Sequence, residues 1–287
     1  MDGCRAWYGE ACLHKDENRI SGPVSFVLLM AIKPLLIFLT LTAIFALEGA
    51  FPHYKNRSHR IHHAFSHLLT AVFNGLLTRL VLAGLTIQAL DWGARERLGL
   101  VQALQVPFYL KTAIVFVLFD IWMYFWHRAN HRIRFFWLFH RAHHADTDMD
   151  TTTALRFHPG ELVLSTFIRM PVLILLGMSF AELVLFETLL NTATLFHHSN
   201  LAIPEKWDRL LRTVMVTPNM HRVHHSVAIG ETNSNYTSLL SVWDRLFRSF
   251  RKRKDTLAIT LGLPSFREEK WQKLWGFLVT PFADPER

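Results

Sequence analysis

The stretch FYLKTAIVFVLFDIWMYFWHRANH, Phe108 to His131, holds two facts that decide how this chain is read. From Phe108 to Trp126 it is apolar, with Lys111 and Asp120 its only charges, and it approaches the ~20 residues needed to cross a bilayer. Where the apolar run ends, His127-Arg128-Ala129-Asn130-His131 places two imidazoles four residues apart. That spacing sets both on one face of a helix.

Working outward, three more apolar runs appear. Leu28 to Leu47 carries Lys33-Pro34 near its start, and Leu68 to Leu90 carries Arg79. Leu162 to Phe196 is interrupted by Arg169-Met170-Pro171 and by Gly177-Met178-Ser179. It is long enough for a helical hairpin that enters and leaves on one side, or for one span plus a buried helix. The composition agrees: 51% of the 287 residues are hydrophobic and only 19% are charged, against roughly 25% charged in soluble domains. With 23 Phe, 9 Trp and no low-complexity repeat, disorder, coiled coil and collagen are excluded. Two cysteines, Cys4 and Cys12, cannot build a disulfide framework, a four-cysteine zinc site or an iron–sulfur cluster. The expected fold class is all-α, an integral membrane helical bundle of about four spans with a histidine-rich, di-metal helical cap on its cytoplasmic side. The expected organisation is a polar N-terminal segment 1–27, a membrane-embedded domain 28–250 and a basic tail 251–287. Residues 1–22 lack the pattern of a secretory signal peptide, so the first apolar run reads as an anchor that stays.

Charge orients the spans. Lys55, Arg57 and Arg60 follow the first run; Arg128, Arg132, Arg134, Arg141 and Arg156 follow the third; Arg251-Lys252-Arg253-Lys254 lies in the tail. The positive-inside rule puts these stretches in the cytoplasm and the mixed loop Asp91 to Pro107 on the other face. The formal charge of +8 then suits anionic headgroups. Nucleic-acid binding is not expected, because the basic residues come with membrane spans and no recognition motif.

Eight of the 17 histidines stand in three groups: His127 and His131; His140, His143 and His144; His221, His224 and His225. The second and third share the spacing H-x2-H-H, so each group is expected to aim its imidazoles at one point. Neutral imidazole is the commonest metal ligand, and eight nitrogens exceed the needs of one ion, so two metals are the natural count. The chain has no H-E-x-x-H and no E-x-x-H. That excludes the common metalloprotease pattern and the Glu-rich di-iron bundles and leaves Fe, Zn and Cu open. Asp120 shares a face with Tyr124, His127 and His131, and needs a His or Arg from another segment to offset its cost in an apolar span; an orienting role is expected. His53, His59, His62, His63 and His67 read as part of an interfacial polybasic segment, and Arg156 and Glu161 as caps of the apolar hairpin.

The three motifs, in this order and beside apolar spans, resemble the fatty acid hydroxylase / sterol desaturase superfamily of membrane non-haem di-iron enzymes. The resemblance extends over Asp120 to Arg128, Thr153 to Glu161, Phe196 to Asn200, Thr217 to His221, Asn235-Tyr236 and Ser241 to Phe247, within roughly residues 40–250. It departs where the family closes with Gly-Thr, since Arg248-Ser249 follows Phe247 here. The resemblance implies iron ligands at His127, His131, His140, His143, His144, His221, His224 and His225. It adds His198, which the family's His-Ser-Asn pattern selects over His197, and His158 as a ligand or as a group hydrogen-bonded to one. It further implies two iron ions, O2 as co-substrate, and hydroxylation or desaturation of a bilayer lipid such as a fatty acyl chain, a sterol or a related isoprenoid. The chain shows no Gly-rich dinucleotide fingerprint and no flavin motif. An external electron donor is therefore expected: a reductase, a ferredoxin or a cytochrome b5-like protein. An ether-lipid (alkylglycerol-type) monooxygenase is the alternative within the family. A histidine-rich metal transporter or zinc-binding scaffold is the alternative outside it. Transporters hold their ligands near the midplane of the bilayer, whereas these motifs lie at span ends.

Overall fold

The computed structural model describes residues 23–284 apart from 56 and 58, with side chains from residue 31. Cys4, Cys12 and most of the N-terminal segment lie outside the described residues. Among the described residues, four helices are long and apolar enough to cross a membrane. Helix α1, Pro23–Ala50, contains Pro34. Helices α2, Arg60–Leu77, and α3, Ala83–Arg95, run on through the π-helical turn Thr78–Leu82 as one rod. Helix α4 is Phe108–Arg132 and α6 is Pro159–Leu176. Their outward faces carry Phe38, Val72, Leu80 and Val117, all exposed, as helices bathed in lipid require.

The fourth apolar run folds as two antiparallel helices, of which, among the described residues, α6 is long and apolar enough to cross a membrane and the second, Phe180–His198, is not. Helix α6 ends at Gly177, whose φ of 73° suits a left-handed helix cap. Ser179 then opens α7, Phe180–His198, by accepting the Glu182 N–H while the Glu182 carboxylate accepts from the Ser179 N–H, a reciprocal capping box. At this end the Leu100 N–H donates to the Leu175 carbonyl at 2.8 Å. A Cβ on Gly99 would come within 2.6 Å of the Gly177 Cα, so the two segments meet at glycines. Leu90, Val115, Phe119, Leu173, Leu183 and Phe186 form the core of this half of the bundle.

The opposite end gathers the chemistry. Helix α5, Arg134–His144, follows α4 directly, and α8, Glu205–Leu211, and α9, Pro218–His224, follow α7. Among the described residues the β features are the isolated bridges Pro52–Leu201, Met215–Leu240 and Ser226–Leu261. The buried Glu48 carboxylate accepts from the Thr151 and Asn200 N–H groups at 3.1 and 2.8 Å and pairs with Arg60. It thereby ties α1 and α2 to the end of α7.

Two expectations are corrected here. Asp120 meets neither His nor Arg: its Oδ2 accepts from the Trp243 indole N–H at 2.7 Å and the Leu240 N–H at 3.2 Å. It anchors the loop over the span rather than a ligand. The segment around His63 and His67 is also not simply interfacial. His63 joins Asp146 and Asp150 at 2.8 and 3.0 Å, and buried His67 contacts Thr152 and Arg156.

At the departure from the family's Gly-Thr, Arg248 adopts φ 56°. Such a conformation costs a residue with a Cβ ~1–2 kcal/mol. The variant Arg248→Gly is therefore expected to stabilise the protein by about 1 kcal/mol, after glycine's extra chain entropy is set against it. The check is a higher unfolding midpoint in detergent micelles.

Candidate metal centre

Helix α4 carries His127 and His131 to the end of the bundle, α5 supplies His140, His143 and His144, and α9 with its C-cap supplies His221, His224 and His225. Helix α7 returns from the far end to bring in His198. Nine imidazoles converge in two sets. One is His127, His131, His140, His144 and His224; the other is His143, His198, His221 and His225. Within each set, one nitrogen per residue lies within 4.8 Å of all the others. The sets adjoin, with the His144 and His225 rings stacked at 4.3 Å.

Each H-x2-H-H motif divides between the sets instead of aiming at one point. His140 and His144 enter the first set and His143 the second, whereas His221 and His225 enter the second and His224 the first. Residues four apart share a helix face, and a neighbour one position away points about 100° off it.

The outer hydrogen bonds fix the protonation of the rings. His127 Nδ1–H donates to the Tyr236 carbonyl at 2.6 Å, His224 Nδ1–H to the Ser234 carbonyl at 2.7 Å and His143 Nδ1–H to the Arg156 carbonyl at 3.2 Å. His198 Nδ1–H donates to the Thr194 carbonyl and His140 Nδ1–H to the Glu161 carboxylate, both at 2.8 Å. A carbonyl oxygen only accepts, so Nδ1 must hold the proton and Nε2 is left bare. Burial, reinforced by neighbouring imidazoles, holds His143, His144, His221, His224 and His225 well below the ordinary histidine range and keeps them neutral.

The bare nitrogens face one another. His127 Nε2 lies 3.1 Å from His140 Nε2 and 3.1 Å from His224 Nε2, and His198 Nε2 lies 3.1 Å from His143 Nε2. No proton is available to bridge these lone pairs. Both ring nitrogens of His131 and of His144 are likewise buried without a partner. Converging lone pairs at such distances repel unless a cation lies between them, so the donor sets fit two metal ions.

The structure does not bring His158 to either set. Its Nδ1 accepts the Gly160 N–H and its Nε2–H donates to the Leu278 carbonyl, both at 3.0 Å, so both nitrogens are spent capping α6 and holding the chain after residue 250. His197 is buried beside the second set, its ring 4.1 Å from that of His221, but is not one of the four. The group of His63, His67 and Asp150 differs from the two sets, because its polar atoms are engaged with one another and with Thr152 and Arg156. Although burial opposes it, His63 holds the Asp146 carboxyl well below the usual carboxylate range.

Four supporting residues escaped the sequence reading. Arg141 counts there as a loop charge, Arg156 as a loop charge and a hairpin cap, and Arg222 passes unremarked, yet all three are buried. Arg222 donates to the Ser199 and Leu201 carbonyls at 2.9 and 2.7 Å, clamping α9 to the end of α7. Arg156 donates to the Ala142 and Trp271 carbonyls, and Arg141 to the Thr280 and Ala283 carbonyls. Arg141 and Arg222 each follow the first histidine of an H-x2-H-H motif, and that shared place was the available signal. Glu161, expected as a cap, instead holds His140 with its carboxylate. Such partners typically carry 10–100-fold of metal affinity or activity. Glu161→Gln is expected to weaken metal binding by about that factor, read by competition with a chelator.

Residues 112–249 match the fatty acid hydroxylase family. The chain is 29% identical to the alkylglycerol monooxygenase of Xenopus tropicalis over 160 residues, which is 55% of this chain and 34% of that protein. It is 29% identical to the alkylglycerol monooxygenase of Danio rerio over 170 residues, 59% of this chain and 36% of that protein. To the ornithine lipid hydroxylase OlsE of Rhizobium tropici it is 25% identical over 159 residues, 55% of this chain and 47% of that protein. The matches thus span about a third to a half of the length of these curated relatives. No solved structure matches the chain. All nine converging histidines fall inside the region 112–249, a little under half of the chain, that matches the fatty acid hydroxylase family.

Proposed function

We propose that the chain is a membrane-bound di-iron hydroxylase that inserts one oxygen atom of O2 into a C–H bond of a lipid, with two electrons from an external donor. The observation that carries this reading is the pair of adjoining imidazole sets with their lone pairs turned inward. The balanced reaction is R–H + O2 + 2 electrons + 2 protons to R–OH + H2O. Iron bound there would supply O2 activation, a chemistry that side chains lack.

The chain's own residues do the rest. Backbone carbonyls hold four ligand rings in one tautomer, and the Glu161 carboxylate adds negative charge behind His140. Phe157 stacks on the His143 ring at 4.8 Å and Trp137 covers His131 and His144, which excludes water from the sets. The basic loops beside the sets support a cytoplasmic placement of this end of the bundle. Hydroxylation is favoured over desaturation because the relatives named above are a monooxygenase and a hydroxylase. The same names support a narrower reading, oxidation of an alkylglycerol-type ether lipid.

The test combines metal analysis and Mössbauer spectroscopy of detergent-purified, iron-57-loaded protein with turnover of membrane lipids under 18O2. About two nitrogen-ligated irons per chain and one 18O in the product are the expected result. An unlabelled alkene product would replace hydroxylation by desaturation. Zinc alone, with no O2 uptake, would sink the enzyme reading and leave a metal scaffold or transporter.

A further inference from the structure

Helix α2 lies outside the matched region 112–249, yet it sends two histidines one turn apart, His63 and His67, to the end of the bundle that holds the imidazole sets. His63 Nε2 lies 2.8 Å from Asp146 Oδ1, and its Nδ1 lies 3.0 Å from Asp150 Oδ2. Both partners are carboxylates, so both ring nitrogens donate and the ring is an imidazolium bridging two anions. His67 continues the network. The Thr152 hydroxyl donates to Asp150 Oδ1 at 2.6 Å, so it accepts from His67 Nδ1–H at 3.0 Å. The bare His67 Nε2 then accepts from the Arg156 guanidinium at 3.3 Å.

All these contacts fall on one segment, 145–156, which joins the ligand helix α5 to the α6–α7 hairpin. Asp146 stands two residues after His144. Asp150 caps the short turn Thr151–Leu155 by accepting from the Thr152 N–H at 2.7 Å, and the Thr153 hydroxyl ties that turn back to Asp146 at 2.6 Å. The segment then reaches the second imidazole set twice. Its Arg156 carbonyl accepts from His143 Nδ1–H at 3.2 Å, and its Thr151 hydroxyl donates at 3.0 Å to the Leu195 carbonyl, one turn before His198 on α7. The outer hydrogen bonds of the first set run instead to Tyr236, Ser234 and Glu161, none of them in this segment.

We propose that His63, supported by His67, is a positioning residue for the metal ion of the second set: from α2 it clamps segment 145–156 and thereby sets the rings of His143 and His198. The proposal rests on the two-metal reading of the centre. Without the imidazolium, Asp146 and Asp150 face each other as buried like charges, which pushes them apart and carries Arg156 with them. The first set has no such dependence on α2, so the effect separates the two ions.

The test titrates Fe(II) alone, anaerobically and against a competing chelator, into the metal-free full chain in detergent. In the His224→Ala variant the second set alone keeps all its ligands, and in His143→Ala the first set alone does. His63→Leu is expected to weaken iron binding about 10–100-fold in the His224→Ala background, the usual worth of a group that orients a ligand, and to leave it unchanged in the His143→Ala background. His63→Arg restores the positive charge and paired donors and should recover most of the affinity. His67→Phe should weaken the same ion only. Equal weakening in both backgrounds would reduce His63 to a residue that stabilises the fold and overturn the proposal, as would unchanged binding in both. Where His63→Leu does not fold, His63→Gln, which keeps one amide donor, is measured in the same way and decided by the same outcomes. Failure of the unsubstituted chain to bind two irons would refute the two-metal reading itself, a result distinct from two bound irons that ignore His63.

Discussion

Alanine at His143 is expected to remove one metal ion and nearly all activity while leaving the other ion in place. His143 belongs to the four-imidazole set, which would retain His198, His221 and His225, and the five-imidazole set does not use it. His224→Ala should do the converse, since His224 belongs to the first set. Groups that only hydrogen-bond to a ligand are worth about 10–100-fold, so loss of a ligand itself should exceed ~100-fold in turnover. Metal content should fall from about two ions per chain towards one in each variant, with the protein still in the membrane fraction. The double variant should bind almost none. Full metal content and turnover in both single variants would refute the division into two sets.

Leucine at Glu187 is expected to produce the largest loss of stability. Glu187 on α7 pairs with Lys33 on α1 and, at 2.8 Å, with Arg169 on α6. One carboxylate thus holds two cations among apolar helices. Removing it strands both partly buried charges; breaking a fully buried pair costs about 3–5 kcal/mol, which sets the upper bound of the loss here. The unfolding midpoint in micelles should fall sharply as α1 loosens from α7. The triple variant Lys33→Leu, Arg169→Leu, Glu187→Leu should recover stability to the wild-type level or above, because a well-packed apolar replacement is often neutral or better. A Glu187→Leu protein as stable as the wild type would show that the triad is held apart from the packing of α1.

Much of the architecture was legible beforehand because it rests on local rules. Apolar length marked α1, the α2–α3 rod, α4 and the α6–α7 hairpin, and Gly177 with Ser179 marked the hairpin's turn. The three motifs were legible because positions three and four apart share a helix face. His198 was reached only through the family resemblance, since nothing local separates a lone histidine ligand from its neighbour His197. His158 shows the limit of that route. It stands in a matching segment, yet its position before Pro159 makes it the cap of α6.

Spans, motifs and the identity of the converging histidines were therefore determined by the sequence, because hydrophobic length and helical periodicity are properties of a few consecutive residues. How the histidines are shared between two sites was decided only by the tertiary structure. The return of α7 and the meeting of the α5 and α9 histidines set which face of each H-x2-H-H motif meets which partner. The burial of Arg141, Arg156 and Arg222 was decided at the same level: their carbonyl acceptors lie 23 to 142 residues from them apart from Ala142 and Leu201, 14 and 21 residues away. A charge reads as surface in a linear chain until the fold supplies the buried oxygens that satisfy it.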